Sequence, residues 1–145
     1  MVVVAVAACN LTEVDGSLSI TSQPPWDFHP SGCTNGITHE FYGVDLSDGV
    51  STVRVFQAPI DGWLVTVTKD GDPSAPSGRL APATCTHFDA SLDEDECGHC
   101  DKNHHGDEYA TMSGHVSLEC DWDGTGARVA ANLTFDNCNT PEYNQ

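Results

Sequence analysis

The sequence predicts an all-β fold: an antiparallel β-sandwich, stapled by disulfides and carrying a long acidic loop that contains cysteine and histidine. Three observations carry that expectation. Apolar residues recur at every second position in several short stretches, Gly, Pro, Asn and Asp bound those stretches, and no segment shows the 3.6-residue period of an amphipathic helix.

Taken in order, Ile37, His39 and Phe41 alternate with Thr38, Glu40 and Tyr42, which reads as a strand. Val53 and Val55 alternate with Thr52 and Arg54, and Trp63, Val65 and Val67 with Leu64, Thr66 and Thr68. The clearest strand covers 111–120, where Met112, Gly114, Val116, Leu118 and Cys120 share one face and Ser113, His115, Ser117 and Glu119 the other. A turn-rich stretch, Asp121-Trp122-Asp123-Gly124-Thr125-Gly126, leads into a further strand over 127–135, with Val129, Ala131, Leu133 and Phe135 inward. One buried and one wet face is what a sandwich sheet requires. Trp26, Trp63, Trp122 and Phe28 are expected in the core, with a ligand surface as the other use of such rings. Residues 69–82, rich in Pro and Gly, read as a surface loop, and residues 90–108 as a long acidic loop ahead of the strongest strand.

At 145 residues the chain suits one domain with its own core. Residues 26–145 are expected to form the sandwich, residues 10–25 a tether and first strand, and residues 1–9 the remnant of an export signal or an N-terminal strand. Twenty-two acidic residues face five basic ones, a net charge of -17. Nucleic-acid affinity is built from Lys and Arg neutralising phosphates, so a nucleic-acid partner is excluded. Three readings of the acidity remain: solubility in a salty medium, binding of hard cations such as calcium, and attraction to a basic partner.

Seven cysteines without repeated metal-finger spacing point to an oxidising compartment and a disulfide framework. Cys9 follows an unbroken Val and Ala run over 2–8 that is too short to span a bilayer. Val6-Ala7-Ala8-Cys9 resembles the bacterial lipobox, in which small residues precede a cysteine that becomes lipidated. The resemblance implies a lipoprotein whose only hold on the membrane is its lipid anchor, at the outer membrane, in the periplasm or at the cell surface. It also resolves the odd count, because Cys33, Cys85, Cys97, Cys100, Cys120 and Cys138 can then pair among themselves. If the hairpin sets Cys120 opposite Ala127, Cys138 falls near Tyr109 and the Cys97/Cys100 segment, which leaves Cys120 for Cys33 or Cys85. Six cysteines allow 15 connectivities. In a eukaryotic or archaeal setting, Asn10-Leu11-Thr12 and Asn132-Leu133-Thr134 are glycosylation sequons.

Candidate chemistry concentrates in the acidic loop. Cys97-Gly98-His99-Cys100 is the tetrapeptide of the disulfide-isomerase branch of the thioredoxin family, but four preceding acidic residues would raise the first thiol's pKa and no βαβ pattern surrounds it. Cys97, Cys100, His104 and His105, with His99, form a set that zinc or copper would accept. The alternative is a solvated loop held by disulfides. Asp121 to Gly126 resembles the opening of an EF-hand loop, yet Asn132 stands where a bidentate Glu belongs, so a hairpin turn is expected there. His87 with Asp89, and His39 beside Glu40, are pairs without a nucleophile elbow, a His-Glu-x-x-His or a phosphate loop around them. The expected function is therefore a non-catalytic binding or assembly module outside the cytoplasm, requiring no cofactor. Its partner would be a protein, a glycan or a second copy. The alternatives are an envelope metal-binding protein and a subunit of a homopolymeric surface assembly built through the 2–8 run.

Overall fold

The computed structural model describes residues 12–22, 24–68, 78–96, 110–122 and 125–140. Among the described residues, ten strands make two antiparallel five-stranded sheets packed as a sandwich. The front sheet has the order β2-β1-β10-β9-β8, from β1 (Glu13–Ile20), β2 (Trp26–Phe28), β8 (Cys85–Glu96), β9 (Ala110–Trp122) and β10 (Ala127–Cys138). The back sheet has the order β3-β4-β5-β6-β7, from β3 (Gly32–Asn35), β4 (Tyr42–Ser47), β5 (Thr52–Ala58), β6 (Gly62–Thr68) and β7 (Gly78–Leu80). The segment expected to hold the tether and first strand thus supplies β1, between β2 and β10.

Period-2 alternation sorts residues between core and solvent as the sequence predicts. Leu18, Ile20, Val116, Leu118, Val129 and Leu133 from the front sheet meet Val44, Leu46, Val53, Val55, Val65 and Val67 from the back, all buried. Phe28 and Trp122 are in this core, and Trp26 and Trp63 pack against it. Trp122 reaches across to β7, where it lies so close over Gly78 that any Cβ there would collide with the indole.

Five sequence-based expectations are corrected. First, Ile37–His39 is a turn of 3-10 helix, not a strand, and β4 begins only at Tyr42. The Asn35 side-chain oxygen accepts from the Ile37 N–H at 3.1 Å, which turns the chain out of the sheet as soon as β3 ends. Second, the acidic stretch is not all loop: Cys85–Glu96 is a strand along the length of β9, with Phe88, Ala90 and Leu92 against the core. Third, the stretch 69–82 contains β7. Fourth, the β9–β10 hairpin sets Cys120 opposite Val129, two residues from the expected register, because the turn closes on Trp122 and Ala127. A further irregularity between Phe135 and Cys138 brings Cys138 opposite Met112.

The last correction follows from that register. Cys138 bonds to Cys33, across 105 residues and from one sheet to the other, instead of reaching the Cys97/Cys100 segment. Cys120 bonds to Cys85, one of its two expected partners, as a cross-strand pair within the front sheet. The two disulfides are consistent with an oxidising, extracytoplasmic environment.

Candidate functional site

Cys9, Cys97, His99, Cys100, His104 and His105 lie outside the described residues, so the lipidation and metal expectations are neither supported nor opposed by the fold. Among the described residues no group of three His, Cys, Asp or Glu side chains is placed to hold a metal ion. Asp121 and Trp122 end β9 and Ala127 opens β10, so the EF-hand-like sequence is a hairpin connection, as expected.

The histidines meet partners that sequence proximity does not reveal. On the outer face of the front sheet, His115 Nε2 lies 3.0 Å from Asp89 Oδ2 and His115 Nδ1 lies 2.9 Å from Ser91 Oγ. A carboxylate only accepts, so the network assigns the proton to Nε2 and leaves Nδ1 to accept from the serine hydroxyl. His87, two residues before Asp89 in the chain, bonds Ser117 Oγ at 3.0 Å. Residues i and i+2 on a strand share a face, but their nearest neighbours sit on the adjacent strand, where Ser91 opposes His115 and His87 opposes Glu119.

The Ser–His–Asp sequence of bonds has the order of a hydrolytic triad without its surroundings. Its His and Asp side chains are 39% and 66% exposed, respectively. The group stands on the outer face of the front sheet, bridging β8 and β9. These bonds form a polar cross-strand ladder, continued by Ser113, which donates to Asp136 at 2.6 Å.

A different region has the form of a binding site. Where the β3–β4 connection, the β5–β6 turn and the acidic end of β8 converge, a cleft of about 460 Å³ is lined by Ile37, Phe41, Tyr42, Phe56, Glu40 and Glu94, among others. Its volume falls within the range of small-molecule sites, about 300 to 1,000 Å³. Local sequence builds it in three ways. Gly36 lets the Phe41 ring fold back onto the connection, since any Cβ at position 36 would strike that ring. Phe41 then packs edge-to-face on Phe56, with ring centroids 6.2 Å apart. Glu40 closes the 3-10 turn with φ 69°, a left-handed conformation that costs a non-glycine residue about 1 kcal/mol or more.

The Phe41 ring already carries a cation. The Arg54 guanidinium lies 3.8 Å from the Phe41 ring centroid and makes a two-pronged pair with Asp45, Nε to Oδ1 at 2.7 Å and Nη2 to Oδ2 at 3.0 Å. Within the cleft the charge is of the other sign. Among the described lining residues Glu40 and Glu94 are ionisable and exposed, and none is Lys, Arg or His. The Tyr42 phenol, 38% exposed, has its pKa raised, first by burial and then by the carboxylates of Glu94 and Asp93. No sequence motif marks these residues, because they come from two sheets and two connections; the one local signal is the aromatic pair Phe41-Tyr42 next to Glu40.

The chain matches no protein-family model, no curated protein and no solved structure.

Proposed function

We propose that the chain is a non-catalytic, extracytoplasmic binding module, held to the membrane by lipid on Cys9, with the aromatic cleft as its ligand site. The observation that carries the binding reading is the cleft itself: about 460 Å³ of concave, ring-lined space set against a sandwich stapled by two disulfides. A rigid frame favours binding because less side-chain and loop freedom is lost when a ligand arrives. The exposure of the Ser91–His115–Asp89 group supports the non-catalytic part.

The test uses N-phenylnaphthylamine, an uncharged fluorescent probe of apolar sites. Saturable one-to-one binding that Phe56→Ala abolishes is the expected result; probe uptake that never saturates, or that ignores this change, overturns the reading. Hydrolysis of p-nitrophenyl acetate should run at the same rate with Ser91→Ala as with the unaltered chain, and serine-dependent turnover would make the protein an enzyme. Intact mass under non-reducing conditions, on protein from its natural source, reports the lipid on Cys9.

A further inference from the structure

We propose that the cleft is selective for a small organic cation, an alkyl- or quaternary ammonium group on an apolar body. The proposal rests on the binding-module reading and goes further by naming the ligand class. Three features converge on it. Tyr42 and Phe56 bring aromatic rings to the lining beside Phe41, whose own ring already stacks on the Arg54 guanidinium, and the negative quadrupole of a ring attracts a desolvated cation. Glu40 and Glu94 line the same cleft from different elements, the connection ahead of β4 and strand β8, and both bring negative charge to it. No basic described residue among the lining neutralises them.

The backbone places Glu40 at the end of the 3-10 turn. As the left-handed residue that ends that turn, it brings a carboxylate to the cleft lining. A divalent metal is a poor occupant, because hard cations take six or more oxygen ligands and this wall is largely ring and aliphatic carbon. An ammonium whose charge is spread over methyl groups suits both the rings and the carboxylates. The volume favours a small molecule over a folded partner.

The probe is benzyltrimethylammonium, compared with its uncharged carbon isostere neopentylbenzene, each competing with N-phenylnaphthylamine on the full chain in low salt. We expect the cation to bind at least about tenfold tighter than the isostere, the weight of a desolvated cation–π contact. Glu40→Gln combined with Glu94→Gln should cut that preference to about twofold or less while the neutral probe still binds. Both glutamates are exposed, so folding is checked by an unchanged melting curve, and either single variant serves if the double one melts early. Raising the salt should weaken the cation and leave the isostere unaffected. Equal affinity for cation and isostere overturns the proposal but leaves the binding-module reading standing; loss of neutral-probe binding as well removes both. Tighter binding of oligolysine than of the small cation reassigns the site to a basic protein partner, which also overturns it.

Discussion

Asn35 is 1% exposed, and its side-chain amide donates to the carbonyls of Ala110 at 2.9 Å and Cys138 at 2.8 Å. Its oxygen meanwhile takes the Ile37 N–H, so one amide joins the back sheet to strands β9 and β10 of the front sheet. Replacing it with alanine strands two buried carbonyls and a backbone donor, so Asn35→Ala should cost about 3 kcal/mol in urea unfolding, at the level of about 1 to 3 kcal/mol per orphaned group. Tyr42 gives a pH-dependent counterpart. Its pKa is raised in the folded chain by burial, Glu94 and Asp93, so the unfolded chain releases the phenol proton first. Stability from this residue is whole below the ordinary tyrosine range and declines as pH rises from there towards the folded value. Glu94→Gln should lower the Tyr42 pKa and narrow that window, as followed by NMR titration of the ring. Neither residue announces itself in the sequence: Asn35 looks like any turn asparagine, and Tyr42 like any strand tyrosine.

Strand β8 is the element that sequence periodicity concealed. Its inward residues Phe88, Ala90 and Leu92 do alternate, but Asp89, Asp93, Glu94 and Asp95 have low strand propensity and give the stretch the composition of a loop. The explanation is position. Among the described residues β8 is the outer strand of the front sheet, with one side unpaired, and carboxylates along such an edge repel a second chain that would otherwise add to it. Replacing Asp93 and Asp95 with valine should therefore shift the protein towards larger species on size-exclusion chromatography, relative to the unaltered chain. An unchanged elution profile would show that the charges have no such role. The β9–β10 hairpin illustrates the converse: its two strands and their inward faces were plain in the sequence, whereas its register was not. A shift of two residues leaves every side chain on its own face, so the hydrophobic pattern cannot distinguish one register from the other.

For the molecule as a whole, the disulfides divide the work of holding the sheets. Cys33–Cys138 closes 105 residues and links the two layers, while Cys85–Cys120 closes 35 within one layer. Chain entropy sets upper values of about 4.8 and about 3.8 kcal/mol for these loops, and measured effects of native bonds run at about 2 to 5 kcal/mol. Substituting alanine at both Cys33 and Cys138 should thus lower the urea midpoint more than the same change at Cys85 and Cys120. The reverse ranking would mean that β8 depends on its bond more than the layers depend on theirs.

Composition and alternation determined the class of this protein: antiparallel β, disulfide-bonded, with the strands at β5, β6, β9 and β10 and their inward residues correctly placed. Those properties are local, since the two-residue period of a strand assigns each side chain to a face whatever lies opposite. Tertiary structure alone decided the Cys33–Cys138 bond, the place of β8, the Asn35 tie between layers and the cleft of Phe41, Tyr42, Phe56, Glu40 and Glu94. Each of these needs residues from distant parts of the chain to arrive at one point. Hairpin register and the packing of one sheet on the other set that arrival, and neither is written in the period of any single strand.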